Sequence, residues 1–276
     1  MNRLVLLLAL LTTSLPGFAQ SQEPAQADAP KIEDNSFLME EAYNQEYGVV
    51  QHIQTFTRDL RNDAYVYSFT QEWPVDVDPR HQLSYTLQGT RAEGFAGFGW
   101  GDTLLNYRFQ LVKGERLAIA PRASVIFPSG DSRFGRGFGG AGFQTNWALS
   151  CRAKKKLTMH SNAGWTIVPN AKNENGLKAQ INEFNLGQSF IWLAKPRFNV
   201  LLETVYNSSQ DVVAPDRGQR VHDVTMNPGM RWAYNLKSGM QIVPGVSIPT
   251  GVGPSAGQVG VLFYFSIEHS YRKKKD

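Results

Sequence analysis

From Val49 to Tyr271 the chain alternates apolar and polar residues with a period of two, in twelve segments of about ten residues each. A β-strand turns successive side chains to opposite faces, so each segment has one apolar and one polar face. The last is the clearest. Val259, Val261, Phe263, Phe265 and Ile267 share one face; Gly260, Leu262, Tyr264, Ser266 and Glu268 share the other. The same split recurs over 103–111, 117–127, 157–167, 198–207 and 222–234, and more weakly over 49–59, 64–73, 81–91, 141–152, 181–193 and 239–248. Ten residues of strand tilted near 40° rise roughly 25 Å, the height of the apolar band of an outer-membrane barrel. The expected fold is therefore all-β: an antiparallel transmembrane β-barrel of about twelve strands.

A soluble β-sandwich also alternates, but its strands average nearer 5–6 residues. It would not need aromatic residues at strand ends, where Trp73, Trp100, Trp192, Trp232, Tyr234 and Tyr271 fall here. Charged residues make up 19% of the chain, below the usual quarter for soluble domains, as expected if one face meets lipid. A net charge of +4, with basic residues scattered, excludes a nucleic-acid stripe. The links at 113–116, 153–156, 195–197 and 236–238 are short. Those at 128–140, 170–180, 208–220 and 249–257 read as long, polar or glycine-bearing external loops. The 61–64 link is short where a long one is due. The glycine-rich 129–140 stretch suits a mobile external loop, where Arg133 and Arg136 could meet lipopolysaccharide phosphates or merely stay solvated.

Ahead of the strands lie three segments. Residues 1–19 read as a secretory signal: Arg3, an apolar run from Leu4 to Leu11, and small Gly17 and Ala19 before the cut. Residues 20–35, rich in Gln, Ala and Pro, read as a flexible leader. Residues 36–48 read as a lead-in or plug. Ser36 could cap a short helix over 37–46. The basic tail is 272–276. Export and the absence of a long apolar helix place the protein in the outer membrane.

The polar faces would line a lumen. Charges facing lipid cost about 2–4 kcal/mol at mid-depth, so the alternation sends Arg108, Arg122, Arg152, Glu203, Asp223, Arg231 and Glu268 inward, with Asn106, Asn146 and His160. Twelve strands give a backbone diameter of about 24 Å, a narrow pore or a closed one. Two readings of these residues compete: rings that set selectivity, and cross-strand pairs that rigidify the wall. Glu40, Glu41 and Glu46, just before the first strand, could enter the lumen and pair with inward arginines.

No catalytic, metal or cofactor site is expected. Cys151 is the single cysteine, and adjacent His160 and Ser161 must face opposite ways. The glycines of 129–140 are followed by no Lys-Ser/Thr phosphate loop.

Several segments carry a family likeness: FLMEEAYNQEYGVVQHI (37–53), GDTLLNYRFQLV (101–112), APRASVIFPSGD (120–131), FIWLAKPRFNVLLE (190–203), NPGMRWAYNLKSGMQIVPGVSIPTGVGPS (227–255) and GVLFYFSIEHSY (260–271). Together they resemble the outer-membrane β-barrel proteins grouped under the MetA-pathway of phenol degradation, a "transporter" family. The resemblance implies a barrel passing small, aromatic or hydrophobic solutes, with outer-membrane lipid and the assembly machinery as partners and no enzyme activity. It brings no catalytic residues. The chain departs from the usual terminal aromatic by continuing past Tyr271 as RKKKD. The alternative is a structural or surface-binding barrel; a barrel lipid hydrolase is the third reading.

Overall fold

The computed structural model describes Ile32 and residues 35–95 and 97–271. The signal segment, the leader apart from Ile32 and Asn35, and the basic tail lie outside the described residues. Twelve antiparallel strands form one closed barrel. They are β1 (Val49–Asp59), β2 (Tyr65–Pro74), β3 (His81–Arg91), β4 (Gly99–Phe109), β5 (Leu117–Phe127), β6 (Gly142–Lys154), β7 (Leu157–Lys172), β8 (Lys178–Lys195), β9 (Phe198–Ala214), β10 (Arg217–Trp232), β11 (Gln241–Ser247) and β12 (Gly260–Ser270). Neighbours in sequence pair in turn. The ring closes where β1 meets β12, in register from Val49 opposite Ser270 to Asp59 opposite Gly260. Closure leaves no strand edge unpaired, the condition for a sheet to sit in hydrocarbon.

The alternation sorts the faces as the period requires. Leu105, Trp147, Leu186, Trp192, Met230 and Phe263 point outward and are exposed, while Asn106, Arg108, Glu203, Asn227 and Arg231 point inward and are buried. Both ends of the strand circuit lie at one rim, called here the terminal rim.

Three sequence expectations change. Residues 170–180 and 208–220 are not long loops. β7–β8 and β9–β10 are tall hairpins of 16 to 18 residues per strand, paired up to Lys172 opposite Lys178 and Ala214 opposite Arg217. Alternation reports contact with hydrocarbon; above the bilayer the outward face turns polar and the inward face carries the buried Ala171, Ala179 and Ile181, so the phase set below is lost while the backbone ladder continues. Asp216, at φ 56°, makes the tight turn between β9 and β10.

The glycine-rich loop is not free-standing. Its Gly130 and Phe138 N–H groups donate to the Asp102 carboxylate at 3.0 and 2.7 Å. Phe138 and Val212 pack on Val168, Ala171 and Ile181 inside the mouth. A Cβ on Gly137 would lie 2.2 Å from Asp102 Oδ1, so the glycine permits the close approach. Arg133 is held by Asp131, whose carboxyl it keeps below the usual carboxylate range.

The third change concerns the N-terminal segment. No α-helix is present among the described residues, and 37–46 runs as irregular chain. Its backbone donors are taken by lumen side chains rather than by its own carbonyls.

Candidate functional site

The lumen near the terminal rim is occupied by residues 35–45. This segment leaves β1 at the rim, where Asn44 Nδ2 donates to the carbonyls of Pro79 and Arg80 at 3.2 and 2.8 Å. It rises to the level of Asn162 and Glu203, each the sixth residue of its strand. It then descends to Asn35, whose carbonyl accepts from Arg231, next to last in β10.

Each side of the segment's backbone has a partner. The N–H groups of Leu38, Glu40, Ala42 and Asn44 donate to Glu203 Oε1, Asn162 Oδ1, Ser150 Oγ and Gln110 Oε1 at 2.9, 2.9, 2.7 and 2.8 Å. Gln45 N–H donates to Gln82 Oε1 at 2.7 Å. In return the carbonyls accept. Asn162 Nδ2 donates to Glu40 O at 2.9 Å, Gln110 Nε2 to Ala42 O at 2.6 Å, and the Arg108 guanidinium to Glu41 O and Tyr43 O at 3.2 and 2.6 Å. A buried chain with no sheet or helix of its own must find such partners.

Apolar contacts fix the same register. The Phe37 ring lies against Tyr264, centroids 5.3 Å apart, and over Gly229 and Gly245. A Cβ on either glycine would come within 2.5 Å of that ring. Gly187 makes the same room for Met39, and Ala42 packs among Ala118, Ala120 and Ala148. Small inward residues thus mark where the segment lies.

The candidate residues fall as follows. Arg122 grips the Glu40 carboxylate, Nη2 to Oε1 at 2.8 Å, and also donates to Asn106 Oδ1 at 3.0 Å. Arg108 also lies 3.7 Å from Glu72. Glu203 accepts from Asn227 Nδ2 at 2.8 Å as well as from Leu38. Asn146 donates to Asn162 at 3.1 Å. His160 Nδ1 lies 2.7 Å from Ser150 Oγ, while Ser161 faces outward to Gln188. The Ser150 partner of His160 is ten residues back on the neighbouring strand, and its hydroxyl is occupied by the segment's Ala42 N–H.

Of the three glutamates, Glu40 meets an arginine, Glu41 is buried with its N–H on Asn35 Oδ1, and Glu46 is exposed at the rim. Arg152 lines a cavity of about 720 Å³ at the terminal rim with Lys113, His160, Leu193 and Arg231. Glu268 stands between Gln51 and Gln241 on neighbouring strands. Asp223 lies toward the far rim and accepts from Ser255 Oγ at 3.2 Å. The set is therefore not one ring: most of it surrounds the segment, and Asp223 is apart.

Sequence reasoning did not single out Gln82, Gln110, Ser150, Gly187, Gly229 or Gly245. The available signal was the run of small and amide side chains on the inward face.

Beyond the segment the lumen opens. A cavity of about 800 Å³ reaches the far rim, lined by Gln88, Asp102, Lys172, Glu183, Gln210 and Asp211 among others. Among the described residues no group of three or more His, Cys, Asp or Glu could hold a metal.

No protein-family model matches the chain, and no curated protein sequence does. Solved structures do resemble it. The NanC porin superposes over 80% of this chain and 100% of its own, with a TM-score of 0.50 and 10% identity. The KdgM porin covers 80% and 99%, with a TM-score of 0.50 and 9% identity. At such identities the likeness is one of fold: a porin-type outer-membrane β-barrel.

Proposed function

We propose that this barrel passes a small solute across the outer membrane and that residues 36–46 are its plug. One observation carries the reading. With the adjoining Asn35, the segment contacts inward side chains of ten of the twelve strands, from Gln51 on β1 through Gln82, Arg108, Arg122, Ser150, Asn162, Ser189, Glu203 and Arg231 to Tyr264 on β12. A wall that needed only rigidity could pair with itself across strands. Here the wall's polar groups are spent on a peptide joined to the barrel through β1. In this reading Arg108, Arg122 and Glu203 hold the plug, and Arg152, Asp223 and Glu268 line the approaches.

The terminal rim is assigned to the periplasm, by the rule that puts short turns there. The signal segment 1–19 delivers the chain and the assembly machinery inserts it. Aromatic compounds are the favoured solute class, and the resemblance of the quoted segments to the phenol-degradation barrel proteins fits that class. The support is the Phe37 seat, a slot of two glycines and a tyrosine that fits one planar ring.

Liposome swelling tests the reading. Vesicles carrying the chain lacking 36–46 should admit a small hydroxyarene and a small neutral sugar quickly, and vesicles carrying the intact chain slowly. Equal exclusion by both would favour the alternative, a surface-binding barrel whose far-rim loops engage a partner.

A further inference from the structure

The outer wall is not uniform. Over β5–β10 it presents Phe143, Trp147, Phe184, Leu186, Phe190, Leu202 and Met230 to lipid. Over β1, β2 and β3, joined by His269 near the end of β12, it carries polar groups among the apolar ones. His52 Nε2 lies 3.3 Å from His269 Nε2, with the rings stacked 5.4 Å apart. Gln71 stands opposite His52 in register and accepts from Tyr85 Oη at 2.8 Å. Gln54 accepts from Tyr67 Oη at 3.0 Å.

All of these point outward, because Gln51 and Glu72, their neighbours in sequence, are buried in the lumen. Gln54 is the sixth of eleven residues in β1 and so sits at mid-depth; Gln71 is fourth from the end of β2.

A wall glutamine elsewhere shows how such a group is accommodated in lipid. Gln188 on β8 faces outward, but its amide is fully used: Oε1 accepts from Ser161, and Nε2 donates to the carbonyls of His160 and Ser189 at 3.1 and 3.0 Å. Gln54 and Gln71 use only their oxygens. Their Nε2 groups have no partner among the described residues, and hydrocarbon offers none. Unmet amide donors are costly there, and polar side chains on membrane surfaces draw protein partners together.

We infer that the outer face of β12–β1–β2–β3 is the contact of a two-fold dimer of this chain within the membrane. The occupant follows from self-complementarity. Each amide brings two free donors and a second lone pair on its oxygen, and the Tyr67 and Tyr85 hydroxyl oxygens add further acceptors, so the same patch on a second copy supplies what the first lacks. A closed two-fold contact uses one patch on both partners and leaves nothing over. The flanking rings Phe56, Phe69 and Trp73 supply apolar area around the amides.

Subunit counting by single-molecule photobleaching of the labelled full chain in lipid bilayers tests this. Most spots should bleach in two steps; single steps throughout would overturn it. Contact geometry is read by Gln54→Cys in a Cys151→Ser background under copper-phenanthroline oxidation. Gln54→Cys should form a disulfide-linked pair, and Leu186→Cys on the far side of the barrel should not. Equal cross-linking of both would overturn the assignment. Gln54→Leu with Gln71→Leu should lower the dimer population roughly tenfold while the barrel keeps its heat-modifiable gel mobility. An unchanged population in a barrel that keeps that mobility would overturn it too. A chain that conducts as a monomer refutes the dimer and leaves the pore reading intact.

Discussion

The two halves of the lumen are built on different rules. Near the terminal rim most of the inward positions named above answer a particular atom of residues 35–45: an amide where the segment shows N–H or C=O, an arginine where it shows Glu40, a glycine or alanine where it shows Phe37, Met39 or Ala42. Toward the far rim carboxylates, amides and a lysine, beside the Phe138 cluster, surround a cavity of about 800 Å³. The same strands supply both halves, so the contrast belongs to side-chain choice alone. The lower half is complementary to one peptide and the upper half to water and whatever enters with it.

The contrast can be broken from the lower side first. Phe37→Ala removes a buried ring from a seat that nothing else fills. Loss of a buried Phe costs about 3–5 kcal/mol, so the docked state should lose roughly two to nearly four powers of ten in its equilibrium. Protease cleavage within 36–46 in reconstituted vesicles would read this, and unchanged protection would mean that the ring does not anchor the segment.

Glu40 and Arg122 come next. Glu40→Gln and Arg122→Gln should each weaken docking. The double variant should lose less than the sum, with a coupling of about 1.5–3 kcal/mol for a charged hydrogen-bonded pair. Additive losses in the same cleavage assay would show that the pair does not act as a unit. Gln110→Ala removes one acceptor and one donor to the segment, at about 1 kcal/mol each. It should raise cleavage modestly and leave the barrel's thermal unfolding nearly unchanged; a barrel that unfolds much earlier would make Gln110 a wall residue first.

The smallest effect belongs to the upper half. Glu183→Gln with Asp211→Asn should reduce cation preference, read as a reversal-potential shift in a salt gradient, without altering cleavage of the segment. A change in cleavage would mean that the two halves are coupled.

Much of this was legible in the sequence, and the reason is physical. Strand number, closure and the inward placing of Arg108, Arg122, Glu203 and Arg231 follow from a period of two set by lipid on one side. The tall hairpins were not legible, because 170–180 and 208–220 rise past the hydrocarbon and lose the phase it sets while keeping their ladder. The seat of the N-terminal segment is a long-range match. Leu38 bonds to a residue 165 positions away, and no local pattern encodes that. Ser36 and the acidic residues after it read equally well as a helix start. Lumen amides took those backbone donors instead. The inward Gly187, Gly229, Gly245, Ala118, Ala120 and Ala148 were visible as small residues, but only an occupant gives them meaning.

Single-channel conductance in a planar bilayer tests the central claim most directly, with the intact chain and the chain lacking residues 36–46 recorded under the same salt and voltage. The account predicts long closures or very small currents for the intact chain and a steady conductance several-fold larger for the shortened one. Identical current traces from the two would contradict it.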